Sequence, residues 1–275
     1  MDYLQAAVLG VVEGLTEFLP VSSTGHLTIA EQLLGLDVDN RELTAYTALI
    51  QIGAIAAVLV YFRGDIWRIA RAWVRGLWQP EVRGQLDHRM GWFVILGSLP
   101  IGVVGLLAEP LITGGLRSLW VVAAGLILWS AVMLYAERRA TQRRSEKDLT
   151  LRDAMIVGLV QCIALVPGVS RSGATISTGL LLGIDRVAAT RLSFLLSIPA
   201  LLGAGLFELP TAIGGSISTG QALVGIAVSF VVAYASVAWL LKFVAGHSIG
   251  SFVPYRVALG VVLLVVLGAG WLTPT

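Results

Sequence analysis

The sequence predicts an all-α integral membrane protein: six transmembrane helices plus two re-entrant helical hairpins, arranged as an inverted-topology repeat. Three observations predict it. First, the 275 residues are 56% hydrophobic and only 13% charged, with a mean hydropathy of +0.84, whereas an ordinary soluble domain is about 25% charged. Second, six apolar stretches reach the roughly 20 residues needed to cross a hydrocarbon core as a helix. Third, sliding the chain by 148 residues aligns VVEGLTEFLPVSSTGH with LVQCIALVPGVSRSGA without a gap. Gly10 meets Gly158, Val21 meets Val169, Ser22 meets Ser170 and Gly25 meets Gly173, and further on LLGLD meets LLGID.

The first element is a broken apolar segment, 3–36. Residues 3–18 suit a helix of about 24 Å at 1.5 Å per residue, marginal for a crossing, and Pro20 then interrupts it. A second helix from Thr24 to Leu34 is about 16 Å long by the same rise, too short to span. Together they suit a hairpin that enters and returns on one side. Three spans follow, Leu43–Phe62, Met90–Leu111 and Ser118–Ala136, closing a first repeat over 1–137. The second copy, 151–272, repeats the design with a hairpin over 153–184 (helices near 153–166 and 172–183) and spans Leu192–Ile213, Ala222–Val244 and Val253–Leu272. Three crossings per unit turn the second copy upside down, within one membrane domain covering 1–275. Two ordinary kinked spans are the alternative to the hairpins. Non-helical backbone survives at membrane depth only inside protein or beside a wet cavity, so the tips FLPVSSTG and LVPGVSRSG are expected to meet within the bundle.

Charge placement orients the bundle. Arg63 to Arg89 and Arg138 to Arg152 each hold six Lys/Arg, Arg186 and Arg191 precede the fourth span, and Lys242 and Arg256 flank the fifth connection. Only Arg41 and Arg117 lie in the alternate loops, and Arg171 fits neither set. The positive-inside rule makes the rich loops cytoplasmic and puts both termini outside. Basic residues beside spans read as topology signals, with no nucleic-acid partner. The N-terminus has no basic region and carries Glu13 within its apolar run, unlike a cleavable signal peptide. The lone Cys162 excludes a cysteine-cluster metal site.

The polar groups concentrate at the two tips. Ser22, Ser23 or Thr24 suits the N-cap of the first short helix, and Ser170 or Ser172 that of the second. Two such helix ends aimed at one cavity suit a multiply charged phosphate group. Glu13 and Glu17 lie four apart and share a helix face. They suit a Mg²⁺ site, which uses one or two carboxylates and completes its shell with water and phosphate oxygens; a structural pair linked to Arg171 is the alternative. Arg171 offers a planar fork for phosphate, with Ser170, Ser172 and Thr175 as further hydroxyl donors. His26 follows Ser23 by three residues. A serine nucleophile activated by His26, direct attack by His26, and His26 as acid to the leaving oxygen all remain open. Gly53, Gly102, Gly105 and Gly125 allow close helix contact, within one bundle or in a homodimer.

EGLTEFLPVSSTGH and PGVSRSGATIS resemble the two signatures of the undecaprenyl-diphosphate phosphatase family of bacterial inner-membrane enzymes, the resemblance covering essentially the whole chain. It implies hydrolysis of undecaprenyl diphosphate to the monophosphate, recycling the lipid carrier for peptidoglycan and other envelope polymers, with a link to bacitracin resistance. By position it implies that Glu13 and Glu17 hold a divalent cation, Mg²⁺ or Ca²⁺. The catalytic set is then Glu17, Ser23, His26 and Arg171, with Ser22, Thr24, Ser170, Ser172 and Thr175 binding the diphosphate. The first hairpin opens outward under the charge rule, so the reaction is expected at the periplasmic face. The rival reading is a transporter, a flippase for the polyprenyl phosphate, because inverted repeats with broken helices are also transporter architecture. A carrier needs the anion clamp but no nucleophile.

Overall fold

The computed structural model describes residues 1–36, 41–108, 110–111, 116, 118–213 and 218–274. Asp37 and Arg117, used above for the repeat and the charge rule, lie outside them, as does the side chain of Arg41. Among the described residues the chain is helical, without strands. In order it forms α1 (Tyr3–Thr16), α2 (Ser23–Leu33), α3 (Arg41–Tyr61), α4 (Arg63–Trp78), α5 (Leu86–Leu107), α6 (Leu119–Arg139), α7 (Leu151–Gln161), α8 (Arg171–Leu181), α9 (Arg186–Ile213), α10 (Thr219–Val244) and α11 (Val253–Gly268). Six segments are long and apolar enough to cross a membrane, in α3, α5, α6, α9, α10 and α11 with its preceding turn. They are the six that composition predicts. The fourth begins six residues earlier than expected, at Arg186 rather than Leu192, because Asp185 caps it by accepting from the Ala188 N–H at 2.8 Å.

One element was not expected. Residues 63–78, read from sequence only as part of a basic loop, form α4. Its buried face, Ile69, Ala72 and Gly76, packs on α5, so its arginines ride an amphipathic helix.

Each broken segment forms two short helices, α1 and α2 in the first and α7 and α8 in the second, with α7 ending at Gln161 rather than near 166 and a 3-10 turn over Cys162–Leu165 following it. Offset by 148, α2 falls on α8 residue for residue, Ser23–Leu33 onto Arg171–Leu181. At the open end of α1–α2 the Gln5 amide donates to the Leu34 carbonyl at 3.2 Å. At the matching positions of α7–α8, Arg144 bridges Asp153 and the Leu182 carbonyl, 3.0 Å to each.

Glycines let the broken helices sink in. α1 packs on α10 at Gly10, where a Cβ would stand 2.7 Å from the Gly225 carbonyl oxygen. Its repeat mate Gly158, on α7, is pressed as closely on the Gly97 backbone of α5. Gly53 faces α10 and Gly125 faces residues 167–168, so both serve contacts within the bundle, whereas Gly102 and Gly105 face open space. The core beside the first tip is aromatic: Phe18, fully buried, meets Phe194 edge-on at 5.4 Å, and Phe194 meets Phe62 at 6.1 Å.

Hydrogen bonds sort the loops into two ends. At one, the Met1 carbonyl accepts from Gln221 and the Pro274 carbonyl accepts from the Leu119 N–H. At the other, Arg191 pairs with Glu146 and Asp65, Arg186 with Glu137, and Arg68 with Asp65 and Asp87. Several arginines counted as topology signals are therefore also structural.

Candidate active site

The first tip, 17–22, leaves α1 at Glu17, and its proline ends the helix. The second, 166–170, follows a 3-10 turn over Cys162–Leu165. Both end on a serine with a left-handed backbone, Ser22 at φ 79° and Ser170 at φ 75°. A non-glycine residue in that region is uncommon, and such conformations cluster at functional sites. That the two share one register of the repeat ties the strain to the tips' design.

The tips touch. The Ser22 Oγ accepts from the Gly168 N–H at 3.1 Å, and Ser22, though at the N-cap of α2, makes no side-chain cap. Ser170 does cap, accepting from the Gly173 N–H at 3.2 Å. Gly168 (φ +91°) lies against the Val122 carbonyl of α6, leaving no room for a Cβ.

A fully buried guanidinium, Arg256 on α11, fastens them together. It donates to the Pro20 carbonyl of one tip at 2.9 Å and to Gly168 and Val169 of the other at 2.9 and 3.1 Å. Its Nε donates to the Ser130 Oγ of α6 at 3.1 Å. Counting Arg256 as a loop charge is thereby corrected: it lies inside the bundle, and its partners are carbonyls and a hydroxyl. A signal was present in the sequence, since a charge inside an apolar span is costly and by default functional. It sits close enough to the span's start to pass for a flank.

Around this joint the chemistry assembles. Glu17 accepts from the Arg171 Nη2 at 2.8 Å with one oxygen and from the Ser23 hydroxyl at 2.5 Å with the other. Arg171 reaches on to the Ser197 carbonyl at 3.4 Å. Glu13, one turn earlier on α1, is buried, and its Oε1 has no partner among the described residues. Gln161, its mate on α7, likewise leaves both amide atoms buried and unpaired. Ser172 lies 3.2 Å from the Ser170 hydroxyl.

Three residues stand differently from the simplest expectation. The His26 Nδ1 donates to the Ser22 carbonyl at 2.7 Å, and its Nε2 lies 2.5 Å from the Tyr255 hydroxyl, the rings stacked at 5.6 Å. The ring's hydrogen bonds thus go to Ser22 and Tyr255, and the serine's goes to Glu17. With Nδ1 donating, a neutral imidazole leaves Nε2 as acceptor. Thr175 is buried, its hydroxyl held between the Arg171 carbonyl and the Ser193 hydroxyl at 2.8 and 2.6 Å. Thr24 is exposed. Tyr255 was missed by sequence reasoning and had no signal there: an aromatic at the start of an apolar span is commonplace.

No group of three or more His, Cys, Asp or Glu suited to a metal occurs among the described residues. The donors present still fit a hard cation that takes most of its shell from water and phosphate. Glu13 offers a buried carboxylate oxygen without a partner among the described residues, which is open to such an ion.

Fold and site together define a polytopic helical membrane protein with a part-buried Glu–Ser–Arg cluster built from two broken helices. The chain belongs to the bacitracin resistance protein BacA family, whose profile matches residues 6–262. It is 59% identical over 267 residues to undecaprenyl-diphosphatase 1 of Frankia alni, covering 97% of this chain and 96% of that one. It is 56% identical over 271 residues to an undecaprenyl-diphosphatase of Acidothermus cellulolyticus, covering 98% of each. A third relative, undecaprenyl-diphosphatase 1 of Streptomyces coelicolor, is 59% identical over 267 residues, 97% of this chain and 96% of its own.

Proposed function

We propose that the protein is the phosphatase its relatives are named for, hydrolysing undecaprenyl diphosphate to undecaprenyl phosphate and inorganic phosphate at the bacterial inner membrane. The observation that carries this reading is the Ser23–Glu17–Arg171 chain across the two tips, in which Glu17 bonds both the Ser23 hydroxyl and the Arg171 guanidinium, an arrangement suited to a nucleophile, its base and an anion clamp. A carrier for the lipid phosphate would need only the clamp.

Ser23 attacks the terminal phosphorus as its proton passes to Glu17, and the lipid monophosphate leaves. Water then cleaves the phosphoserine, releasing inorganic phosphate and restoring the serine hydroxyl. Arg171 neutralises charge spreading over the transferring phosphoryl oxygens, where positioning and electrostatics supply most of the catalysis. The N-terminal amides of α2 and α8, with Ser22, Ser170 and Ser172 beside them, complete the anion site. His26 Nε2 is the remaining base at the first tip and assists proton transfer once substrate displaces the Tyr255 hydroxyl. A divalent cation, Mg²⁺ or Ca²⁺, held by Glu13 and Glu17, would neutralise the diphosphate.

The two broken segments are re-entrant hairpins of an inverted repeat, 1–137 and 151–272. The bridges between positions 5 and 34 and between 153 and 182, at opposite ends of the molecule, support this reading. The first hairpin opens to the outside with both termini, and the site faces the periplasm.

Phosphate release by the purified chain tests the assignment. The wild type is expected to lose activity on chelation and regain it with Mg²⁺ or Ca²⁺, while Ser23→Ala and Arg171→Ala release at least about 10²-fold less, the loss that removing a single anion-stabilising donor already brings. Wild-type rates in either variant would refute it.

A further inference from the structure

Two bases stand at the first tip, and only one of them touches the serine. The Ser23 hydroxyl donates to Glu17 at 2.5 Å, so Glu17 is the group placed to take its proton. His26 lies one turn further along α2, on the same face as Ser23 because three residues separate them, yet its ring bonds elsewhere. Nδ1 donates to the Ser22 carbonyl at 2.7 Å, and Nε2 accepts from the Tyr255 hydroxyl at 2.5 Å.

Tyr255 is placed by the joint that locks the tips. It precedes Arg256, whose guanidinium donates to carbonyls of both. One residue is a step of about 100° around a helix, so Arg256 enters the bundle while the phenol reaches His26 on α2. The two rings stack, their centroids 5.6 Å apart and their planes 20° from parallel. The stack fixes the plane of the imidazole, and its two hydrogen bonds fix the tautomer, with the proton on Nδ1 and a lone pair on Nε2. The phenolic oxygen therefore marks the place where a proton donor meets that lone pair. This place opens outward: Tyr255 is 50% exposed, whereas Glu17 is only 8% exposed. Water has the shorter way to His26.

We propose that the two bases divide the reaction, Glu17 serving the first half and His26 the second, and that Tyr255 is the positioning residue of the second half. This rests on the phosphoserine reading above. Once Ser23 is phosphorylated, a water takes the place of the Tyr255 hydroxyl at Nε2 while the rings stay stacked. The water oxygen bonds to phosphorus as the bond from phosphorus to the serine oxygen breaks. The water's proton passes to Nε2, and the serine oxygen recovers the proton that Glu17 took in the first half. His26 then returns its proton to the departing phosphate. Between turnovers the Tyr255 hydroxyl holds Nε2 unprotonated and aimed at the water's place.

Rapid-quench kinetics on the detergent-purified full chain, with undecaprenyl diphosphate and Mg²⁺, separates the halves. Lipid monophosphate reports the first, inorganic phosphate the second, and mass spectrometry of the Ser23 peptide counts phosphoserine. His26→Ala is expected to release one lipid monophosphate per chain in a burst, then inorganic phosphate about 10²–10⁴-fold more slowly than wild type, with Ser23 largely phosphorylated. Tyr255→Phe, which keeps the stacked ring and loses the hydroxyl, is expected to keep the burst and slow inorganic phosphate about tenfold, the worth of one hydrogen bond. Tyr255→Leu, which loses the ring as well, slows it further. The burst itself shows that a variant is folded. A His26→Ala chain that elutes and melts like wild type but loses the burst puts His26 in the first half and overturns the division, while the phosphatase reading stands. Wild-type release of both products by Tyr255→Phe overturns the positioning role alone. Wild-type turnover by Ser23→Ala, with phosphoserine in none of the variants, removes the nucleophile on which both readings rest.

Discussion

Glu17 commits both of its oxygens, one to Arg171 and one to Ser23, and this division decides what each neighbour contributes. A lysine at 171 keeps the charge but loses the fork. Arg171→Lys is therefore expected to lower kcat about 10²–10³-fold, as loss of an oxyanion donor does, with the purified variant eluting and melting like wild type. Thr175 separates geometry from motif membership. Its hydroxyl is engaged with Arg171 O and Ser193, so Thr175→Val is expected to keep kcat within about threefold while losing about 1 kcal/mol of stability for the hydrogen bond. A kcat loss as large as that of Ser23→Ala would place the hydroxyl on the substrate instead. Sequence text offered Thr175 and Ser172 as equals because both stand in PGVSRSGAT. Only the fold shows that one turns toward α9 and the other toward Ser170. The Glu17–Ser23 contact was hidden for the same reason: it joins two helices across a proline break whose geometry no periodicity rule supplies.

The elements that hold these residues are two short helices with loose ends, and loose ends buried inside a bundle need anchoring. Arg256 provides it, gathering carbonyls from both tips and from α6 on one buried side chain. Removing it orphans the carbonyls of Pro20, Gly168 and Val169, and an unsatisfied buried polar group costs roughly 1–3 kcal/mol. Arg256→Met is thus expected to lose at least about 3 kcal/mol, read as a lower midpoint in detergent thermal unfolding, and to lose phosphate release with it as Ser23 and Arg171 drift apart. Arg256→Lys, which can still donate to acceptors in both tips, is expected to recover part of both. A methionine variant as stable and active as wild type would show that the tips hold together without this residue. The short helices themselves were legible almost to the residue, because proline and serine punctuate them and the repeat checks each copy against the other. α4 was not, since its periodicity is split among three faces and its arginines read first as a topology signal.

Across the whole molecule, both termini and the turns near 34, 119 and 221 share one end through their hydrogen bonds, and the ion-paired loops share the other. The positive-inside rule then has a single choice to make, which end faces the cytoplasm. Moving Arg256 out of the tally leaves 15 basic residues at the ion-paired end against 2 in the opposite loops, counted from the sequence, so the choice is unchanged. Burial of Arg256 weakens no part of that argument, because the rule acts through loop charges near span ends. In a Cys162→Ser background, an exposed cysteine at Thr24→Cys is expected to react with a membrane-impermeant maleimide in intact cells. Arg143→Cys, on the basic loop, is expected to react only after lysis. The reverse pattern would put the first hairpin and its serine on the cytoplasmic side. The site would then meet its lipid diphosphate in the inner leaflet, and the periplasmic half of the proposed function would fail while the chemistry at the tips stood untouched.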